Sequence, residues 1–164
     1  EEFSNQKEFS ASFLQSSRGV LEEGFLHIQN ERLRIEYTFP KNILIILAND
    51  KAMYFNKDLE ELEYFNPQKT QAKIFFDIFF KKNYFENFNF SESENVIKLN
   101  KKISIDGDQS FELKIIFEKN PTLIRKIEIK NDNQSTIYSI NNHNFFPIFE
   151  KKMFSMANPL INWI

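Results

Sequence analysis

The chain has 164 residues, enough for one domain with a single buried core. Its net charge of −2, with lysines interleaved among carboxylates, leaves no basic stripe of the kind nucleic acid requires, and no run approaches the roughly 18 apolar residues of a membrane span. Cysteine is absent, which excludes disulfides and thiolate chemistry. Phenylalanine outnumbers tryptophan 20 to one, alongside abundant Ile, Lys and Asn. The codons of an AT-rich genome account for that bias, so the Phe count alone does not mark ligand contact.

Residues 1–15 read as a short amphipathic helix, with Phe9 and Phe13 four apart and Phe3 about two turns earlier. Residues 16–23 read as strand and turn, ending at Gly24. Leu26 and Ile28 then share an apolar face with Leu33, Ile35 and Tyr37 across a polar Asn30-Glu31 turn. Arg32, Arg34 and Glu36 take the opposite face, expected to meet solvent. Such a period of two is the mark of a strand with one buried and one wet face. Residues 43–47 and 53–55 continue the sheet, with Ile45 and Met53 among their apolar residues. They are joined by the tight turn Asn49-Asp50-Lys51, whose Asn and Asp tolerate left-handed backbone. Leu59, Leu62 and Tyr64 mark another hairpin arm.

Residues 66–83 break this pattern. Asn66-Pro67 opens a helix. Ile74, Phe75, Ile78 and Phe79 share one face, Phe76 and Phe80 widen it, and Lys73, Asp77, Lys81 and Lys82 lie outside. Such a helix either packs on a sheet or lies as a lid over an open apolar cavity. Strands resume over 84–90, 96–99, 111–117, 123–130 and 135–140. The turns between them are Asp106-Gly107-Asp108, Lys119-Asn120-Pro121 and Asn131-Asp132-Asn133. Short strands with polar turns predict an antiparallel meander rather than βαβ units. No repeat or linker divides the chain, so residues 1–164 are expected to form one domain.

Reactive chemistry is sparse. His27 and His143 are far apart, with no carboxylate or second His at metal-ligand spacing. Three glycines, Gly19, Gly24 and Gly107, cannot build a phosphate loop, and no Ser sits in a nucleophile elbow. The acidic pairs Glu22-Glu23, Glu60-Glu61 and Asp106/Asp108 fall in turns or on wet faces. The expectation is a protein that is not an enzyme and takes no cofactor or metal. What remains is apolar surface: a curved sheet with one helical layer either fills its concave side or leaves it open for a ligand, and patterning does not distinguish these.

Gly24-Phe25-Leu26 followed by Arg32-Leu33-Arg34-Ile35-Glu36-Tyr37 resembles the "G-t-l … r-F-R-W-e-Y" signature of the LolA family of lipoprotein carriers. Residues 9–15 are similar to the family's "f-x-A-x-F-x-Q". The Asn49-Asp50-Lys51 turn, Asp58-Leu59-Glu60, the helical insertion, residues 132–140 and the closing 154–159 follow in the family's order. The resemblance implies a mainly β fold with α, an unclosed antiparallel β-barrel (a curved half-barrel sheet) capped by a helical lid. It further implies a monomeric carrier in the periplasm. Its partners would be acylated lipoproteins, the inner-membrane ABC transporter that releases them and the outer-membrane receptor that accepts them. On this basis Leu26, Ile28, Leu33, Ile35, Tyr37, Ile45 and Met53 line the sheet side of an acyl-chain cavity, and Ile74, Phe75, Ile78 and Phe79 line the lid side.

Two departures qualify the resemblance. Ile35 stands where the family usually has Trp. Many members also carry Arg-Pro just before that strand, the Arg holding the lid shut; Gln29-Asn30 stands here instead, so the lid is expected to have a weaker or differently made latch. A receptor of this fold would carry a lipidated Cys at its mature N-terminus, and its absence favours a soluble carrier. The alternatives are a sensor or scaffold domain of the same fold, binding another lipid or a protein segment, and an envelope hydrolase. The hydrolase requires a Ser or Asp with a His partner at the cavity mouth, and the sequence assembles none.

Overall fold

The first strand and the last strand pair with each other, and that pairing fixes the architecture. A computed structural model describes residue 3 and residues 7–107 and 109–161. Strand β1 (Phe9–Ser17) lies between β2 (Val20–Gln29) and β11 (Gln134–Asn144). From β2 the chain meanders outward through β3 (Arg32–Phe39), β4 (Ile43–Leu47), β5 (Ala52–Asn56) and β6 (Glu61–Phe65). On the other side, β10 (Leu123–Asn131), β9 (Gln109–Glu118), β8 (Val96–Ile105) and β7 (Asn89–Glu92) follow β11 outward. Among the described residues the result is one antiparallel sheet of 11 strands with β6 and β7 as its two free edges, not closed into a barrel. This is the expected curved half-barrel, mostly β with one helix.

That order dictates where the helix goes. Strand β6 ends at one edge and β7 begins at the other, so the intervening chain must cross the sheet. It does so through a 3-10 turn (Pro67–Lys69), helix α1 (Ala72–Phe80) and a second 3-10 turn (Tyr84–Asn87), packed over the concave face. The Asn66 side chain accepts from the Gln68 N–H at 3.0 Å, and the Thr70 hydroxyl accepts from the Ala72 N–H at 3.2 Å. Asn83, at φ +58°, turns the chain sharply after the helix. Nine residues make a marginal helix in isolation; α1 is held by the face it buries.

Register sorts the side chains. Phe9, Ala11 and Phe13 of β1 stand opposite Ile28, Leu26 and Gly24 of β2, which stand opposite Leu33, Ile35 and Tyr37 of β3. Across the other seam Phe13 meets Ile140, and Ile127 of β10 meets Tyr138 of β11 and Ile115 of β9. These rows form the main core on the concave face, joined by Ile74 and Ile78 of α1. The Asn30-Glu31 turn carries both residues at positive φ (49° and 59°), the geometry that suits a two-residue hairpin.

Several expectations are corrected. The helix over 1–15 is a strand from Phe9 onward, while residues 1, 2 and 4–6 lie outside the described residues. A spacing of four satisfies a strand as well as a helix, and Ala11, 3% exposed between the two phenylalanines, marks the period of two. The strand expected over 84–90 is the second 3-10 turn followed by β7. There Tyr84, Phe85 and Phe88 pack on one another with ring centroids 5.2 to 5.6 Å apart. Leu59 is in the β5–β6 turn, 64% exposed, rather than in a strand arm. Asp108 of the expected 106–108 turn lies outside the described residues.

The arginines also differ from expectation. They point to the convex face, but the C-terminal segment lies over them. Arg32 Nη1 donates to the Phe154 carbonyl at 2.7 Å, and Arg34 Nη1 donates to the Met153 carbonyl at 2.8 Å. Tyr64 donates to the Met156 carbonyl at 2.7 Å. Met156 closes a second cluster of Leu44, Ile46, Met53 and Phe55 on that same convex face.

Candidate functional site: an apolar cavity beneath the helix

Between α1 and the concave face lies a cavity of about 40 Å³. From the sheet, Leu26, Ile35 and Tyr37 line one side, and Ile127, Tyr138 and Ile140 line the other. Phe13, on the central strand, forms the floor between them, and Phe75 and Phe79 of α1 form the roof. The lining is almost wholly apolar. Phe13 meets Tyr37 edge to face at 5.2 Å, and Phe75 meets Tyr138 edge to face at 4.9 Å, so roof and walls are tied by aromatic contacts.

The polar atoms of the lining are hydroxyls. Tyr37 donates to Gln15 Oε1 at 2.5 Å. Burial first, and then the nearby Tyr138, Glu22 and Tyr54, push the Tyr37 phenol far above its usual range. Burial, followed by Glu22, raises Tyr138 in the same way. Both phenols stay neutral at ordinary pH, so the cavity carries no charge of its own from them.

The expected site residues divide into three groups. Leu26, Ile35, Tyr37, Phe75 and Phe79 line the cavity itself. Ile28, Leu33, Ile74 and Ile78 are buried in the main core around it, and Ile45 packs against that core from β4. Met53 stands apart: opposite Ile46 in the ladder, it faces the convex side and packs with Leu44, Ile46 and Phe55. The period of two places residues 52 and 54, not 53, on the face of Ile45 and Leu47. Phe13, Ile127, Tyr138 and Ile140 were missed. The alternation of Ile127 with its charged neighbours was visible in sequence, but only the β1–β11 seam brings it near Leu26.

Polar ties on the roof are few. Gln68 Nε2, at the root of the crossing segment, donates to the Asn49 carbonyl at 2.7 Å and to Asn49 Oδ1 at 3.0 Å in the β4–β5 turn. Gln29, where many family members carry Arg-Pro, instead donates to Glu8 Oε1 at 3.1 Å. Asp77, expected on the outer side of α1, is 6% exposed and is ion-paired with Lys73 one turn earlier.

The two histidines lie away from the cavity. His143 Nε2 donates to the Ile124 carbonyl at 2.7 Å, and burial lowers its pKa despite that bond. His27 Nδ1 and Ser10 Oγ are 2.7 Å apart on the convex face, beneath the edge of the Phe149 ring. The structure therefore does bring a Ser and a His together. Burial and then Arg34 lower the His27 pKa, outweighing Glu36. No carboxylate hydrogen-bonds to this imidazole among the described residues, and the pair is on the opposite side of the sheet from the cavity. Among the described residues no three potential metal ligands cluster, and no helix is long and apolar enough to cross a membrane.

The family model described as "Outer membrane lipoprotein carrier protein LolA" matches residues 4–157. No curated protein matches the chain by sequence. Among solved structures, an uncharacterized conserved protein from Thermus thermophilus is similar with a TM-score of 0.58 and 8% identity, covering 93% of this chain and 86% of that one. MucB is similar with a TM-score of 0.50 and 8% identity, covering 96% of this chain and 60% of the longer MucB chain. At these identities the likeness is one of fold.

Proposed function

The chain belongs to the LolA family, and on that premise we propose that it is a periplasmic carrier for acylated lipoproteins. It would receive them from an inner-membrane ABC transporter, shelter their acyl chains between α1 and the sheet, and yield them to an outer-membrane receptor. The observation that carries this reading is the uncharged, apolar cavity between α1 and the concave face of the sheet. Each CH₂ transferred from water into such a space contributes about 0.8 kcal/mol, so several acyl chains are favoured strongly without any specific polar contact.

The cavity volume of about 40 Å³ has a consequence. Roughly 10–15 Å³ of such space holds one water, so the cavity as it stands takes a few waters and not a full acyl chain. Loading requires α1 to move outward. The contents must then outweigh what closure gains, here the burial of Ile74 and Ile78, the aromatic contacts of Phe75 and Phe79 and the Gln68–Asn49 bonds. A conformational cost of that kind lowers apparent affinity and permits release. Cavity-lining residues would come from β1, β10 and β11 as well as from β2, β3 and α1.

The small volume also favours a second reading, in which the concave face is filled by its own side chains and the domain is a sensor or scaffold. One experiment separates the two. An environment-sensitive apolar probe is bound to the protein, and an acylated lipoprotein or the same lipoprotein without its lipid is titrated in. Displacement by the acylated form alone is expected for the carrier. Failure of the probe to bind, or equal displacement by both forms, gives the function to the second reading.

A further inference from the structure

A different opening lies on the flank of α1, between the helix and β8, with a volume of about 240 Å³. Its chemistry is the opposite of the cavity's. Lys73 and Lys81 line it from the helix and Lys101 from the concave face of the strand, while the next residue, Lys102, borders it from the strand's other face. The one carboxylate in its lining, Asp77, is engaged by Lys73. Among the described residues Lys81, Lys101 and Lys102 form no ion pair. Lys102 has Glu112 opposite it in the ladder, but the two do not pair. In a chain of net charge −2, this leaves a local excess of positive charge beyond what Asp77 offsets.

Two further features make the groove more than a scatter of surface lysines. Its cations come from two elements that meet only in the folded chain, and Lys101 is on the buried face of β8, opposite Leu113, with its ammonium 5.6 Å from the Phe88 ring centroid. Lys81 is 5.8 Å from the Tyr84 ring centroid, so both ammonium groups are positioned against aromatic faces. Tyr84 also lines the groove, and burial followed by Asp77 keeps its phenol protonated, a neutral donor among cations. Ile74 and Ile105 form an apolar base that weakens solvent screening.

We propose that this groove is a binding site for a phosphate-type anion, held by Lys81 and Lys101 as point charges and by the Tyr84 hydroxyl as a donor. The anion is either the headgroup of an amphiphile or free phosphate. The site does not depend on the carrier reading.

The test uses the full chain with inorganic phosphate, dihexanoyl phosphatidic acid and dihexanoylglycerol as ligands, read by amide chemical shifts and by displacement of an apolar probe. Phosphate is expected to shift the amides around residues 81–84 and 101–104. Those shifts should vanish in Lys81→Met/Lys101→Met, which keeps the aliphatic stems and removes the charges. In the wild type they should weaken as salt rises from about 20 to about 500 mM, a readout that needs no variant. If the site reads a headgroup, phosphatidic acid binds about tenfold or more tighter than the diacylglycerol, as a charge-assisted contact warrants, and the variant loses that preference. Phosphate shifts without the preference uphold the site and assign it to the free anion. Absence of phosphate shifts, or their persistence in the variant, overturns the proposal. Phosphate binding with no displacement of the probe by either amphiphile leaves the groove standing and removes the carrier reading.

Discussion

The ring of Phe13 lies against the bare Cα of Gly24, its partner across the β1–β2 ladder. A Cβ at residue 24 would fall 2.7 Å from Phe13 Cζ and 2.2 Å from the Glu36 carbonyl oxygen of β3. The absence of a side chain there lets Phe13 lie flat enough to meet Tyr37 and to form the cavity floor. Gly24→Ala is therefore expected to destabilise the fold by about 1–3 kcal/mol, the usual range for overpacking. The backbone oxygen cannot yield as a flexible side chain can. Urea unfolding measures the loss; an unchanged midpoint would show that the strands part without cost.

Two buried isoleucines separate a structural role from a ligand role. Ile127 lines the cavity and Ile115, its neighbour across the β9–β10 ladder, does not, although both are at most 1% exposed. Replacing either by Ala should cost about 2–5 kcal/mol of stability. Only Ile127→Ala should alter the affinity of an apolar probe, measured without denaturant at a temperature well below unfolding. Equal effects on binding would move the ligand elsewhere.

Gln68→Ala removes the polar tie between the root of the crossing segment and the β4–β5 turn. Those bonds are exposed, so the loss in global stability should be at most about 1 kcal/mol. Amide exchange over residues 72–80 should nevertheless accelerate several-fold relative to β1 and β10, since the helix has little else polar to hold it. Exchange in α1 as slow as in the core strands, before and after substitution, would mean that apolar packing alone keeps the roof shut.

Acid should weaken the fold in two stages. His27 and His143 have pKa values lowered by burial, so the unfolded chain binds more protons than the folded one just below the ordinary value of 6.5. Stability then rises with pH across that window, is complete above it, and falls as pH drops through the folded values. For Glu36, burial acts to raise the pKa, but hydrogen bonds from Lys57 and Arg34 outweigh it and lower it. Its contribution is present above the ordinary value of 4.5 and lost below it. Urea midpoints at successive pH values should show both stages, and His27→Gln with His143→Gln should flatten the first only.

The strands β2 to β4, the Asn30-Glu31 and Asn49-Asp50-Lys51 turns and the apolar side of α1 were legible in the residues themselves, because alternation and turn chemistry are local properties. So was the family resemblance, which rests on an ordered set of short motifs. Phe9 and Phe13 misled because a spacing of four is shared by helix and strand, and the small Ala11 between them carried too weak a signal. Met53 was placed on the wrong face because an apolar run such as Ile43 to Leu47 offers no polar phase marker, and only its pairing with β5 sets the phase. The tertiary structure alone decided the rest. Pairing of the first strand with the last brings Ile127, Tyr138 and Ile140 to the same cavity as Leu26, and leaves two distant edges for α1 to bridge. Contacts between residues more than a hundred positions apart, such as Arg34 with Met153 or Phe13 with Ile140, leave no periodic trace in a sequence, because each depends on the path of the whole chain between them.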